Sequence, residues 1–257
     1  MCELFGITSL EKIQVNSLLK EFFSHSQRHP HGWGMAVFYG NYVSLEKEPV
    51  EASYSNYLNE RLQTSLRVCD MIAHIRQATR GSLKYNNCHP FIKRDNYGRC
   101  WTLAHNGTVF DAEKLEPYVD LQEGNTDSER ILYYLLDSID QKQEENGSAL
   151  EAAERFEILE KKICELTPGN KLNLLFYDGE YLYAHTNYAN SLYYKQYDGR
   201  TILATVPLDQ EDWYPVPFAK LVVYKGAQLV YQGTLTGMEY KEASSLQNHE
   251  FLNYSSL

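Results

Sequence analysis

Cys2 directly follows the initiator methionine, a position that could give its thiol a special chemistry. Methionine aminopeptidases remove Met before a small side chain, and this removal would leave a thiol and a free α-amine on one residue. An ordinary α-amine has a pKa of about 7.7–8.0, so part of it is uncharged near neutral pH. The amine could then act as the base for its own thiol, which predicts a nucleophile and a base on one residue. On position alone, the alternative is an ordinary second residue that happens to be Cys.

A basic segment follows a predicted strand in the first third of the chain. Met71–Arg94 contains five Lys or Arg residues and no Asp or Glu, in a chain whose net charge is −10. Within it, the run Ala73-His-Ile-Arg-Gln-Ala-Thr-Arg-Gly81 ends a strand in a polar loop. Arg76 is the best candidate for binding an anion, because a guanidinium can hold a carboxylate through two hydrogen bonds. A solvated basic loop is the alternative.

Two positions later in the chain suggest further binding groups. Asn106-Gly107 follows a predicted strand, and a side-chain amide beside an uncovered backbone N–H can form an oxyanion hole. Asn-Gly is equally a common tight turn. Asp127 stands at the predicted start of a helix, where its carboxylate could bind a substrate ammonium group. An acid that complements the helix dipole is the alternative there.

The histidines and cysteines do not match the spacing of known metal motifs. The residues in question neither form an HExxH motif nor pair as CxxC; they are His29, His31, His74, Cys88, His89 and His105. We therefore predict no metal and no cofactor.

The composition excludes some classes of partner. The 257 residues include 24 basic and 34 acidic ones, which argues against a nucleic-acid-binding protein. No apolar stretch reaches the roughly 18–20 residues needed to cross a bilayer, and the first residues lack the basic and apolar regions of a signal peptide. The five cysteines are odd in number, which is typical of free thiols in a reducing compartment. These features predict a cytoplasmic protein without a membrane partner.

The hydrophobic patterns predict helices and strands in a fixed order. Helices are expected near residues 13–28, 58–66, 126–142 and 149–166, with Thr126 and Glu129 forming a capping box. Short strands joined by Gly-containing turns are expected at the start of the chain and again after Pro168. The order suggests one α+β domain over residues 1–257, with two antiparallel sheets and helices outside them. The last residues, about 240–257, are polar and expected to be loosely held.

Six motifs in a fixed order give the chain a family resemblance over about residues 2–230. They are Met1-Cys-Glu-Leu-Phe-Gly6, Gly32-Trp-Gly34, His74-Ile-Arg-Gln-Ala-Thr-Arg-Gly81, Asn87-Cys-His-Pro-Phe91, Ala104-His-Asn-Gly107 and Thr126-Asp-Ser-Glu129. This series resembles the class II glutamine amidotransferases, which are N-terminal nucleophile hydrolases, and within them the stand-alone YafJ-like branch. The resemblance implies a four-layer αββα sandwich and cleavage of the side-chain amide of glutamine through a γ-glutamyl thioester.

The same resemblance implies a role for each matching residue. Cys2 would be the nucleophile, with its own amine as base. Asn106 and Gly107 would form the oxyanion hole, while Arg76 and Asp127 would bind the α-carboxylate and α-amine of glutamine. Thr79 and His89 match positions that line the pocket. His31 stands where the branch usually has an acid, which affects the expected orientation of the loop over the pocket.

Several readings of the function stay open at this stage. The chain leaves no residues for a synthetase domain, so the acceptor of the ammonia would lie on another protein, or water would hydrolyse the thioester and the ammonia would be released. A γ-glutamyl amide or peptide hydrolase is the closest enzymatic alternative. A non-catalytic binding protein that retains the fold, and a metal enzyme, are alternatives of other classes.

Overall fold

The computed structural model describes residues 2–242, so Met1 and residues 243–257 lie outside the described part. Its α-helices are α1 (Asn16–Ser24), α2 (Asn56–Arg61), α3 (Asp127–Asn146) and α4 (Ala152–Leu166). Its strands are β1 (Glu3–Gln14), β2 (Trp33–Tyr39), β3 (Tyr42–Glu48), β4 (Arg67–Ile75), β5 (Phe91–Arg94), β6 (Cys100–His105), β7 (Asn173–Tyr177), β8 (Leu182–Thr186), β9 (Tyr193–Tyr197), β10 (Arg200–Ala204), β11 (Tyr214–Pro215), β12 (Leu221–Lys225) and β13 (Gln228–Gln232). Short 3₁₀ segments occur at His25–Arg28, Ala52–Tyr54, Tyr85–Asn87 and Glu113–Tyr118.

The strands form two antiparallel sheets. The seven-stranded sheet has the order β11-β9-β10-β1-β4-β2-β3, and the six-stranded sheet has the order β13-β12-β8-β7-β6-β5. Alternation of side chains along β1 shows how the sheets stack: Leu4 packs into the layer between the sheets, and Phe5 packs on the side of α1. The predicted α+β class and four-layer αββα sandwich are therefore confirmed.

Helices pack buried apolar side chains against the outer face of each sheet. Leu19, Phe22 and Phe23 of α1 pack against the seven-stranded sheet. On the other side, α3 and α4 cover the six-stranded sheet with buried side chains at helical spacing; these include Ile131, Leu135, Ile139, Leu159 and Ile163. None of the helices in the described residues is long and apolar enough to cross a membrane.

The first strand lies inside the seven-stranded sheet rather than at its edge. β1 pairs with β10 on one side and with β4 on the other, and Glu3 lies opposite Ile75. The residues after Ile75 therefore run beside Cys2, which directly precedes β1. This register brings the start of the chain next to the basic segment singled out in the sequence.

Some elements differ from the sequence predictions. The capping box at α3 is half formed: the Glu129 N–H donates to the Thr126 hydroxyl (3.3 Å), but the Glu129 carboxylate accepts from the N–H groups of Glu123 and Gly124 (2.8 and 2.9 Å) instead of that of Thr126. The helix predicted near 58–66 ends at Arg61, and β5 was missed. Leu62 and Leu66 are buried beyond the end of α2, so their spacing reflects core packing rather than a continued helix.

The predicted loose segment at about 240–257 is partly described. Tyr240 donates its N–H to the Asn187 carbonyl (2.8 Å) and stacks on Phe110 at 5.7 Å between ring centroids. Glu242 pairs with Lys171 at 3.2 Å. Tyr240 and Glu242 are thus held against the body of the protein, while residues 243–257 lie outside the described part of the chain.

Candidate active site

Cys2 lies half-buried at the N-terminal end of β1 and is held by one neighbouring residue. Its Sγ donates to the Gln77 carbonyl (3.4 Å) and accepts from the Gln77 N–H (3.3 Å). Burial raises the pKa of the Cys2 thiol, while the Arg76 charge opposes that shift and the Asp127 charge adds to it. Because the thiolate is the nucleophilic form, a thiol in this setting needs a base to act near neutral pH.

Arg76 follows β4, and its charged side chain is buried. Only 2% of the residue is exposed. Its guanidinium donates to the carbonyls of Ser82 (2.9 Å), Arg80 (2.9 Å) and Gly81 (3.3 Å), and it makes no ion pair within residues 2–242. A buried charge is costly unless an opposite charge compensates it. The site is therefore suited to an anionic group from a ligand.

Asp127 carries a negative charge and, like Arg76, is buried and bonded to the backbone. It is the first residue of α3, is 5% exposed, and accepts the Val109 N–H at 2.7 Å through Oδ2. Its Oδ1 lies 3.5 Å from the Ser128 hydroxyl, and among the described residues it has no ion-pair partner. The carboxylate is thus available to a cationic group.

These two charges share the neighbourhood of the thiol. Arg76 comes directly after Ile75, which lies opposite Glu3, and the charges of Arg76 and Asp127 shift the pKa of the Cys2 thiol in opposite directions. A ligand with a carboxylate and an ammonium group would compensate both charges at once. An α-amino acid, with its zwitterionic end, is such a ligand.

The turn Asn106-Gly107 leaves one backbone donor unused. The Asn106 N–H donates to the Asn173 carbonyl (2.9 Å) and the Thr108 N–H to the Lys171 carbonyl (3.1 Å), whereas the Gly107 N–H has no acceptor in the described chain. The Asn106 Oδ1 is buried, and no described residue donates to it. A Cβ on Gly107 would lie 2.0 Å from the Lys171 carbonyl oxygen, so only glycine fits this turn.

A hydrogen-bonded histidine supports that turn from behind. His105 Nε2 lies 3.0 Å from the Lys171 carbonyl, and Nδ1 lies 3.0 Å from the Ser128 hydroxyl. Because a carbonyl only accepts, Nε2 carries the proton and Nδ1 accepts from Ser128. Burial lowers the pKa of His105, which favours this neutral form. The Lys171 carbonyl is consequently fixed between His105 and the turn.

The two remaining predicted residues lie in different surroundings. The Thr79 hydroxyl is 3.4 Å from that of Thr108, so it joins the loop after β4 to the Asn106-Gly107 turn. His89 is buried and packs against His74 with 4.1 Å between ring centroids and the ring planes tilted by 34°. Burial holds the pKa of both imidazoles well below the ordinary value, so both rings are neutral. Their roles toward a substrate stay predictions.

Sequence reasoning missed several residues that build the site. Gln77 holds the thiol through backbone groups, which any residue type provides. Asn87 and Asn125 join the loop after β4 to the segment before α3: the Asn87 Nδ2 donates to the Asn125 Oδ1 (2.6 Å), and the Asn125 N–H donates to the Asn87 Oδ1 (2.8 Å). Asn87 belongs to one of the six sequence motifs, but no local pattern indicates that it contacts Asn125.

The described residues contain no group of three or more His, Cys, Asp or Glu side chains arranged to hold a metal ion. The histidines singled out in the sequence have other contacts. The ring of His74 packs against that of His89, and His29 shares the Glu3 carboxylate with His25.

Comparisons with known proteins bear on this arrangement. A family model described as class II glutamine amidotransferases matches residues 1–197. An uncharacterised protein of Methanocaldococcus jannaschii is 32% identical, and the alignment covers 94% of this chain and 74% of that protein. Escherichia coli YafJ, provisionally named a glutamine amidotransferase, is 31% identical over 72% of both chains.

A solved structure extends the likeness to the fold. The crystal structure of a predicted glutamine amidotransferase from Pseudomonas aeruginosa superposes with a TM-score of 0.65 at 21% identity. The superposition covers 90% of this chain and 100% of the other. At this identity, the likeness shows a shared fold.

The electrostatics of the site give a first testable prediction. The Asp127→Asn variant removes a negative charge that raises the pKa of the Cys2 thiol, so we expect this pKa to fall. The pH dependence of iodoacetamide alkylation at Cys2, followed by mass spectrometry, should shift to lower pH. Asp212→Asn removes an exposed charge elsewhere and should leave the profile unchanged. An unchanged profile in Asp127→Asn would contradict the proximity of Asp127 to the thiol.

Proposed function

Because the chain belongs to the class II glutamine amidotransferases, we propose that it cleaves the side-chain amide of glutamine with Cys2 as nucleophile. The proposal is carried by Arg76 and Asp127, two buried and oppositely charged side chains that have no ion-pair partner within residues 2–242. Arg76 would bind the α-carboxylate of glutamine and Asp127 its α-ammonium group. This binding fixes one end of the substrate, so the side-chain amide reaches toward Cys2.

The proposed reaction begins after Met1 has been removed. The free α-amine of Cys2 takes the thiol proton, because burial raises the pKa of the thiol and disfavours spontaneous ionisation. The thiolate adds to the amide carbon of glutamine, and the carbonyl oxygen becomes an oxyanion. The ammonium of Cys2 then returns its proton to the leaving nitrogen. Ammonia departs, the γ-glutamyl thioester forms, and water hydrolyses it to glutamate and free thiol.

The oxyanion would be stabilised by two donors at the Asn106-Gly107 turn. The Gly107 N–H is unused in the described chain, so no internal hydrogen bond must break to receive the charge. The Asn106 side-chain amide would supply the second donor. Such preorganised donors stabilise a transition state without reorganisation, which makes them effective.

The proposal extends to the ammonia and to the cellular location. The ammonia would be released after water hydrolyses the thioester, or it would pass to a substrate bound to a partner protein such as a synthetase. We place the protein in the cytoplasm as a single domain. The observation that supports this location is that all five cysteines are free.

Labelling of the nucleophile tests the proposal directly. Mass spectrometry of the purified protein should show a chain that lacks Met1. A diazo ketone that mimics glutamine should modify Cys2 and inactivate the enzyme, because bound carboxylate and ammonium groups place its reactive carbon at the thiol. The other thiols, those of Cys69, Cys88, Cys100 and Cys164, serve as internal controls. Modification at one of them instead of Cys2 would refute the assignment.

The oxyanion hole gives a kinetic prediction. Asn106→Ala should lower kcat for glutamine hydrolysis by about 10²–10³-fold and leave KM nearly unchanged, because the lost donor acts on the transition state. Asn106→Asp should lose at least as much, since it replaces the donor with an acceptor. Asn146→Ala, at the exposed end of α3, is the matched control. A raised KM with unchanged kcat would assign Asn106 to ground-state binding instead.

A substrate comparison separates the two enzymatic readings. We expect the Met1-free protein to release ammonia and glutamate from free glutamine in equal amounts. A set of γ-glutamyl peptides and amides, which carry the same α-carboxylate and α-amine, is assayed beside it. Cleavage of these compounds with negligible turnover of glutamine would replace the proposal with a γ-glutamyl hydrolase. Turnover of neither class by folded, Met1-free protein would favour a non-catalytic binding role.

A further inference from the structure

Glu3, the residue after Cys2, carries a buried carboxylate that the proposed reaction does not use. Only 8% of the residue is exposed, and neighbouring residues along β1 alternate between faces, so Glu3 lies on the α1 side. Its Oε2 accepts from His25 Nδ1 at 2.8 Å, and its Oε1 accepts from His29 Nε2 at 3.0 Å. Burial would raise the pKa of Glu3, but the bonds from His29 and His25 lower it below the ordinary value, so the group is a carboxylate.

The two imidazoles belong to a segment that continues to the substrate-binding arginine. Two residues after His29, the His31 N–H donates to the Arg76 carbonyl (3.0 Å). The His31 Nδ1 accepts from the Ala78 N–H (2.9 Å). Residues 25–31 therefore hold both ends of Arg76-Gln-Ala78.

That tripeptide in turn holds the thiol. Gln77 lies between the two residues bonded to His31, and its N–H and carbonyl both contact the Cys2 Sγ (3.3 and 3.4 Å). The contacts thus form a closed ring, which runs from Glu3 through His29, His31 and Gln77 to Cys2 and back through one peptide bond. Glu3 is the member of this ring that holds the His25–His31 segment, and that segment in turn holds the backbone on both sides of Gln77.

We propose that Glu3 is a positioning residue that fixes the Cys2 thiol relative to Arg76 by holding the His25–His31 segment. The inference rests on the proposed function, because it concerns the placing of the thiol against bound substrate. Glu3 acts through its two histidines and has no direct part in the reaction. A substitution of Glu3 should therefore slow reactions that need the Cys2 thiol and Arg76 in the correct relative position.

The two histidines decide what a Glu3→Gln substitution removes. His25 and His29 both donate to the carboxylate, and Glu21 lies 3.6 Å from the far side of His25. A carboxylate can accept from both rings at once, whereas a Gln side chain offers only one acceptor beside its NH₂ donor. Glu3→Gln should therefore weaken the hold on the His25–His31 segment.

Two thiol reagents distinguish positioning from loss of the fold. The diazo ketone needs the thiol and Arg76 in register, whereas iodoacetamide needs only an accessible thiol. For Glu3→Gln in the Met1-free protein, we expect diazo-ketone labelling of Cys2 to slow about tenfold. Iodoacetamide labelling of Cys2 should stay within about twofold of the unchanged protein. Glu21→Gln, at a mostly exposed acid beside His25, should label like the unchanged protein.

The outcomes separate this inference from the proposed function. Unmodified protein that is not labelled at Cys2 by the diazo ketone refutes the proposed function. Labelling of Glu3→Gln at the unchanged rate, with normal labelling of the unmodified protein, overturns the role of Glu3 alone. If Glu3→Gln does not fold, His29→Ala, which removes the donor to the Glu3 Oε1, takes its place. Diazo-ketone labelling of Cys2 should slow in that variant, while iodoacetamide labelling stays within about twofold. No slowing, or equal slowing with both reagents, would overturn the positioning role.

Discussion

The pairing of β1 between β10 and β4 is the constraint on which the rest of the site depends. A strand in the interior of a sheet must satisfy hydrogen bonds on both sides, and β1 is also buried on both faces over Glu3–Ser9. Its first residues therefore have no freedom to slide or tilt. Cys2 directly precedes this strand, so its backbone position is fixed by the pairing and the burial of β1.

The protein treats its buried charges in two different ways. Away from the site, Arg155 and Asp178 are both almost wholly buried and pair with each other at 2.9 Å, as the cost of burial requires. Arg76 and Asp127 are buried to a similar degree, yet neither pairs with an opposite charge in the described chain. Keeping two opposite charges apart in one site stores an electrostatic cost that a zwitterionic ligand can relieve. The contrast with Arg155 supports the proposal that Arg76 and Asp127 bind a ligand.

The sequence predicted the architecture well where periodicity was long and regular. The strand at Cys100–His105 and the start of α3 after Thr126 were located correctly, because alternation and capping are local signals. β5 was missed because its four residues follow directly after a proline and show too short a pattern. The chemical residue types of the site were identified from motifs. Their burial, the missing counter-ions and the bonds of Glu3 to histidines more than twenty residues away arise from tertiary packing, which local patterns do not encode.

The Asn106-Gly107 turn has a consequence for the chemical ageing of the protein. In an Asn-Gly pair, the glycine nitrogen can attack the asparagine side-chain carbonyl, because no Cβ obstructs it, and the ring that forms hydrolyses to aspartate or isoaspartate. Here the Gly107 N–H is not tied up in a hydrogen bond within the described chain, and the Asn106 Oδ1 is not engaged either. What opposes the reaction is the fixed backbone between the Asn173 and Lys171 carbonyls. Deamidation at this point would put a carboxylate where the proposed reaction forms its oxyanion, so a stored preparation would stay folded and yet lose its reactivity.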